Sequence, residues 1–297
     1  MEKNNLNKNW IEWFIGFCDA DANFQVFPKV RKSERGVYYN IGYGFHISLS
    51  DKDLDLLIDI QNKLKIGKIY EYPEKEEARL AITKLADLKW LIKNIFEKAP
   101  ILTTHQRERY LRFKHGVINK FNRVESLEEY NNFIKKSFNF SCFIINKETT
   151  PAEMLKSLYK DTNSETAFDN WILGFINGEG YFYARTVSRS QASNLQDRGK
   201  TLKGGATKRL EFSIEHTDRW ALELIKYRLS ISSNVVNRAK RLIGSGGYRK
   251  DTYILYISSK ENISSLIKLC SNSLLNKLEG NKLKQFSDWM LLGNRSI

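Results

Sequence analysis

Cysteine is scarce. The 297 residues hold three, Cys18, Cys142 and Cys270, an odd number with no CxxC spacing. That excludes a disulfide framework and a zinc ribbon, and it suits a reducing compartment. The four histidines, His46, His105, His115 and His216, show no metal-ligand spacing, and no Ser/His/Asp or Cys/His nucleophile pattern stands out. No apolar run reaches the roughly 20 residues of a membrane-spanning helix, so no membrane partner is expected. The opening MEKNNLNKNW lacks the apolar stretch of a secretory signal and makes a poor transit peptide. Acids are outnumbered, 34 against 48 Lys and Arg, for a net charge of +14. Such an excess points to a polyanionic partner, most simply nucleic acid. What the chain does have is apolar surface: 41% hydrophobic residues, with 17 Phe, 14 Tyr and 6 Trp. That supports a real core and argues against wholesale disorder. The abundance of Lys, Asn and Ile, residues of A/T-rich codons, hints at an organelle genome.

The chain also repeats itself. WFIGFCDADANF (13–24) aligns with WILGFINGEGYF (171–182) at a constant offset of 158 (171 − 13). Trp13 matches Trp171, Gly16 matches Gly174, Phe17 matches Phe175 and Phe24 matches Phe182. The small residues Ala20 and Gly178 align, as do the acids Asp21 and Glu179. After each copy the pattern runs strand, strand, helix, strand, strand, helix, so an α-β-β-α-β-β-α order is expected twice. Three segments follow: a first repeat over 1–122, a helical linker over 123–166 and a second repeat over 167–297. The polar 189–208 reads as a loop between strands, and GSGG (244–247) as a hairpin turn, since no helix follows to make a phosphate loop.

A glycine in a helix interior costs about 1 kcal/mol against alanine. Gly16 and Ala20, like Gly174 and Gly178, are spaced i, i+4 and share a helix face. Such smooth faces let two backbones approach closely, so the two motif helices are expected to pack on each other across a pseudo-twofold axis. If their C-terminal ends meet, Asp21 and Glu179 concentrate negative charge beside two negative helix termini. Hard oxygen donors of that kind select Mg²⁺ or a similar ion. On a basic protein, that combination implies phosphodiester hydrolysis.

FIGFCDADA (14–22) and ILGFINGEG (172–180) resemble the two copies of the LAGLIDADG motif. The chain is similar to the single-chain, two-repeat LAGLIDADG homing endonucleases of fungal mitochondrial introns. The likeness runs on through GFHISLSDKDLDLL, FSIEHTDRWALELI, LADLKWLI, PILTTHQRERYLRFK and LEGNKLKQFSDW. It implies an α+β fold of two pseudo-symmetric αββαββα repeats, each with a saddle-shaped antiparallel sheet, packed through the motif helices. It implies a monomer in mitochondria that cuts both strands of a long asymmetric double-stranded DNA site and leaves 3′ overhangs. Asp21 and Glu179 would bind metal, with the carbonyls of Ala20 and Gly178 close by. Mg²⁺ is the expected ion, Mn²⁺ substituting and Ca²⁺ binding without cleavage. By position, Lys282, Gln106, Arg209 and Asn237 are candidates for a shell that positions water. Two motif positions depart from the family pattern: Ala22 stands at the ninth in copy one, and Asn177 at the sixth in copy two.

Strand alternation then proposes a DNA face. From Asp21 it carries Asn23, Gln25, Phe27, Lys29 and Arg31, and further on Asn40, His46, Ser48, Lys68, Tyr70, Tyr72 and Arg79. From Glu179 it carries Tyr181, Tyr183, Arg185, Val187 and Arg189, and then Arg209, Glu211, Ser213, Asn237, Arg241 and Lys250. Arg and Lys suit guanine, while Asn and Gln suit adenine. Loop bases Lys32, Arg35, Lys200 and Lys203 suit phosphates. The opposite parity, Phe24, Val26 and Val30, reads as core. Two other readings compete with the nuclease: a maturase that binds its own intron RNA, with or without cleavage, and a basic structural DNA binder.

Overall fold

The computed structural model describes residues 6–34, 36–136, 150–158, 164–187, 207–238 and 251–294. Outside them lie Cys142, most of the 189–208 segment, the GSGG turn, and Arg35, Arg189, Lys200, Lys203, Arg241 and Lys250. The chain divides into two compact units, Met1–Phe175 and Ile176–Ile297.

Unit one begins with α1 (Lys8–Asp21), whose N-cap Asn7 accepts a hydrogen bond from the Asn9 amide at 2.8 Å. Every residue from Trp10 to Asp19 is buried, as expected of a helix that is apolar on all sides. Strands β1 (Ala22–Ser33) and β2 (Gly36–Ser50) form a long antiparallel hairpin closed by the Ser33–Gly36 pair. Gly36 takes φ +120°, a conformation closed to most side chains. Then come α2 (Leu54–Leu64), β3 (Lys68–Tyr72), β4 (Glu77–Ile82) and α3 (Leu85–Leu91). The sheet order is β1-β2-β4-β3, with a short β5 (Arg123–Val124) added to β2. Helices α4 (Thr104–Ile118), α5 (Leu127–Lys135) and α6 (Pro151–Leu158) follow.

The apolar-periodic segment LADLKWLIKNIFEKA forms not one regular helix but α3 followed by a π-turn over Ile92–Phe96. The Asn94 side chain donates to the Trp90 carbonyl at 2.8 Å, and the Glu97 amide reaches back to Ile92 at 3.0 Å. The wider turn lets Ile92, Ile95 and Phe96 all face the core.

Helix α7 (Ser164–Glu179) leads into unit two, where the same order recurs. Strands β6 (Gly180–Val187) and β7 (Thr207–His216) precede α8 (Arg219–Arg228). Strands β8 (Val235–Arg238) and β9 (Thr252–Ile257) precede α9 (Lys260–Cys270) and α10 (Gly280–Asn294). The sheet order β6-β7-β9-β8 repeats that of unit one. The twofold αββαββα expectation therefore holds, each repeat being followed by one more helix, α4 or α10.

The last aromatic of each motif is the hub of its unit's core. The Phe24 ring lies 5.0 Å from Phe96, 5.3 Å from Phe45 and Tyr110, and 5.5 Å from Phe113. Its repeat mate Phe182 lies 4.6 Å from Phe212, 5.1 Å from Trp289 and 5.3 Å from Phe286. In each unit the following helix, α4 or α10, thus closes the sheet's inner face.

Candidate active site

Within unit one, α1 meets the first part of α7 backbone to backbone. A Cβ built on Gly16 would sit 2.0 Å from the Trp171 carbonyl oxygen, and one on Gly174 would sit 1.8 Å from that of Trp13. The contacts are reciprocal, as a pseudo-twofold requires, since 13 and 16 map onto 171 and 174. Glu12 and Asn170, equivalent by the same offset, also pair, at 3.0 Å and buried. The first glycine of each motif therefore makes the close approach expected of it.

Asp21 is the last residue of α1, half-buried, and Ala22 starts β1 directly after it. In unit two, Glu179 ends α7, also half-buried, and Gly180 starts β6. Ala20 and Gly178, one residue earlier, are half-buried as well. Each acid thus stands where a helix C-terminus turns into an edge strand.

The other acid of the CDAD run has a different task. Asp19 is buried and accepts from the Leu102 amide (2.7 Å), the Thr103 amide (3.2 Å) and hydroxyl (2.7 Å), and the Trp171 indole (2.8 Å). Asn177, at the matching sixth position of copy two, accepts from the Glu279 amide at 2.7 Å. The departure to Asn thus keeps an acceptor. Thr103 immediately precedes α4, and Glu279 immediately precedes α10.

Burial pushes the Asp19 carboxyl from its ordinary 3.8 up to about 6, against the pull of its four hydrogen bonds. The folded chain then binds this proton more tightly than the unfolded one, a gain that is full below about pH 4 and lost as pH rises through about 6. In EDTA, wild type should therefore lose up to about 3 kcal/mol relative to Asp19→Asn between pH 4 and 7. Urea melts at the two pH values check it, and identical pH slopes for both proteins would refute it. Burial and the charges of Asp19 and Asp21 also hold the Cys18 thiol in its neutral form.

Among the sequence-predicted shell, Gln106 and Lys282 reach the acid-bearing junctions. Gln106 on α4 is buried; its side-chain amide donates to the Cys18 carbonyl at 3.0 Å and to the Ala22 carbonyl. Lys282 on α10 donates to the Gly180 carbonyl. Ala22 and Gly180 are the residues directly after the two acids. Gln106 therefore acts on the chain itself and is not exposed to solvent. Arg209 and Asn237 are not brought to Glu179. Arg209 pairs with Arg185, five residues along the strand from Gly180, or ~16 Å at 3.3 Å per residue. Its guanidinium donates to the Ser258 carbonyl at 3.1 and 3.2 Å. Asn237 is on β8, three strands from β6 in the sheet order.

The strand registers put Asn23, Gln25, Phe27, Lys29 and Arg31 on one face with Asn40, His46 and Ser48. Arg79 faces Ser48 across β2 and β4, and Tyr70 across β3 and β4, so Lys68, Tyr70, Tyr72 and Arg79 join that face. The opposite parity carries the buried Phe24, Ile41, Tyr43, Phe45 and Ile47. Val30 departs from the reading: it is 59% exposed, because the hairpin outruns the helices beneath it. Two glycines on the open face carry no signal in the sequence. The Phe27 ring lies over Gly42, 2.6 Å from where a Cβ would stand, and the His46 ring lies beside Gly44. Lys29 Nζ sits 5.2 Å above the Phe27 ring. Arg79 donates to Ser48 at 2.8 Å and stacks on Tyr72 at 5.2 Å. Burial and Arg79 together hold His46 below its ordinary pKa.

In unit two, Tyr181, Tyr183 and Arg185 share a face with Ser213, Glu211 and Arg209, and Val187 continues the register opposite Thr207. Tyr181 and Tyr183 stack at 5.2 Å, and Arg185 pairs with Glu211 at 3.1 Å. Burial and the Glu211 charge push the Tyr183 hydroxyl up to about 12. Asn237 is a correction to the face reading. It pairs with Tyr253, on the parity of the buried Leu255 and Ile257, so it belongs to the helix side. Its neighbour Arg238 takes the open parity and pairs with Glu215. A one-residue slip in a strand reverses every side chain.

Comparison with known proteins agrees with this architecture. Residues 14–117 match the family model described as LAGLIDADG endonuclease. The chain is 34% identical over 184 residues to the uncharacterized mitochondrial protein RF1 of Saccharomyces cerevisiae, covering 61% of this chain and 34% of that protein. It is 26% identical over 181 residues to the probable intron-encoded endonuclease Cox1-I1b of Schizosaccharomyces pombe, covering 59% of this chain and 41% of the relative. The matched regions thus span well under half the length of these relatives. The fold matches the LAGLIDADG meganuclease I-CpaMI bound to uncleaved DNA with a TM-score of 0.63 at 19% identity, covering 98% of this chain and 92% of that one. Meganuclease I-SmaMI bound to uncleavable DNA gives 0.64 at 18% identity, covering 96% and 90%. With its doubled motif and its two units of like topology, the chain has the fold of the LAGLIDADG meganucleases, and its residues 14–117 are similar to the LAGLIDADG endonuclease family.

Proposed function

We propose that this chain is a site-specific homing endonuclease of mitochondria, acting as a monomer on a long asymmetric double-stranded DNA site and leaving 3′ overhangs. The observation that carries the reading is a junction built twice: a helix ends on a carboxylate, and the next residue opens an edge strand whose outer face is basic and aromatic. Asp21 and Glu179 are its proposed catalytic acids, with the carbonyls of Ala20 and Gly178 beside them. The mitochondrial name of one relative, the intron-encoded endonuclease name of another and the DNA in the similar solved structures support the setting and the substrate.

The donor chemistry fits a divalent ion. Carboxylate and carbonyl oxygens are hard ligands, and among the described residues no group of three or more His, Cys, Asp or Glu offers a closed protein cage. Such open ligation suits Mg²⁺, which keeps waters and phosphate oxygens in its shell, with Mn²⁺ as a substitute. When bound, the ion would supply a Lewis acid and an acidified water. The chain's own part is to hold each carboxylate at a fixed helix end and to lay the duplex along the sheets. Lys29, Arg31, Lys68 and Arg79 meet phosphates and purine edges in one unit, and Arg185 and Arg209 do so in the other.

The test is cleavage of a randomised double-stranded DNA library in Mg²⁺, with a Ca²⁺ control and sequencing of the ends. Discrete cuts at one long sequence with 3′ overhangs, absent in Ca²⁺, are expected. No cutting in Mg²⁺ or Mn²⁺, with tight binding to a structured intron RNA, would overturn the nuclease in favour of a maturase.

A further inference from the structure

The two units share a second piece of geometry beyond the acids themselves. In each, the side chain at the sixth motif position accepts from the main chain just before the following helix: Asp19 from Leu102 and Thr103, Asn177 from Glu279. Three residues on from Thr103 and Glu279, Gln106 and Lys282 turn back to the carbonyls of Ala22 and Gly180. Thr103 gives up the usual capping bond of its own helix, and its hydroxyl goes to Asp19 instead. A donor–acceptor arrangement preserved across two units, through a change from Asp to Asn and from Gln to Lys, is not a packing accident of either one.

We propose that Asp19 and Asn177 are positioning residues. They set the start of α4 and α10 so that the third residue of each helix clamps the carbonyl next to the acid. Asp19 thus acts on Asp21 through Gln106, and Asn177 acts on Glu179 through Lys282. This rests on the reading of Asp21 and Glu179 as catalytic acids, but it can be tested without it. A side chain two residues from Asp21 points some 200° away around the helix, so Asp19 has no direct route to the same substrate.

Single-turnover cleavage at saturating DNA, DNA affinity and amide exchange of the 18–24 peptide are measured for Asp19→Leu, Gln106→Leu and the double variant. Each single change should slow cleavage about 100-fold, a loss of about 2.7 kcal/mol in the barrier, with affinity within threefold. The double variant should be no slower than Gln106→Leu alone, because both act through one contact. Asp19→Asn, which imitates copy two, should recover most of the rate. Exchange at the junction should rise at least tenfold in both single variants. Multiplicative rate losses, or unchanged exchange in Asp19→Leu, would overturn the proposal. Should Asp19→Leu not fold, Thr103→Val removes the hydroxyl bond and leaves the two amide bonds; a smaller rise in exchange at the junction is then expected, and no rise would overturn the proposal. If wild type cuts no DNA, the catalytic reading falls, while the exchange arm still decides whether Asp19 holds the junction through Gln106.

Discussion

Gly16→Ala should destabilise the protein by about 3 kcal/mol or more, and Gly174→Ala should do at least as much. The new methyl carbon would lie 2.0 Å from the Trp171 carbonyl oxygen in the first case and 1.8 Å from that of Trp13 in the second. Both obstacles are main-chain atoms inside helices, so no rotamer change relieves the overlap, and the helices must part. Parting them loosens a seam packed with Trp13, Phe17, Trp171 and Phe175, all at most 1% exposed. Alanine's helix propensity returns only about 1 kcal/mol. The losses should not add, because the first substitution already opens the interface that the second would strain. Urea unfolding of the two single variants and the double variant measures this. A stability equal to or above wild type for either single variant would show that the helices do not meet as described.

Much of this seam is legible in the sequence, because a repeat at fixed offset marks the positions where symmetry constrains the residue. Gly16 and Gly174, Phe24 and Phe182, and the two acids pair by that offset alone. The open face of β1 and β2 is legible too, since a long hairpin with one buried side shows its alternation. Four features are not. Strand β8 is four residues long and starts with Val235 and Val236; that pair does not reveal which valine points inward, and the choice decides the side of Asn237 and Arg238. Val30 looks like core by parity, yet the hairpin continues past the end of the helix layer, a matter of tertiary length and not of pattern. The partnership of Gln106 with Lys282 is hidden because their offset is 176 (282 − 106), not the 158 of the motif. Asp19 and Asp21 look alike in the sequence; only the fold gives one of them to the start of α4.

Asp21→Asn and Glu179→Gln, made singly, should each leave DNA affinity within about threefold of wild type and lower the rate of double-strand cleavage at least 1,000-fold, about 4 kcal/mol of transition-state stabilisation. Both replacements keep the side chain's size, and both acids are half-buried at helix ends and not in the packed core, so folding should survive. On the proposed reading this surface receives phosphates, so in metal-free buffer the loss of a negative charge should give at most a slight gain in binding that shrinks with salt. Cleavage is affected differently. An amide oxygen is a neutral and weaker donor to a hard cation, and the ion is needed in the transition state more than in the bound complex. The loss should therefore appear in the single-turnover rate and not in affinity. The comparison also separates the two acids of the CDAD run, because Asp19→Asn keeps its acceptor oxygen and should retain most of the activity that Asp21→Asn abolishes. Cutting by either acid variant at the wild-type rate in Mg²⁺ would remove that carboxylate from the catalytic site.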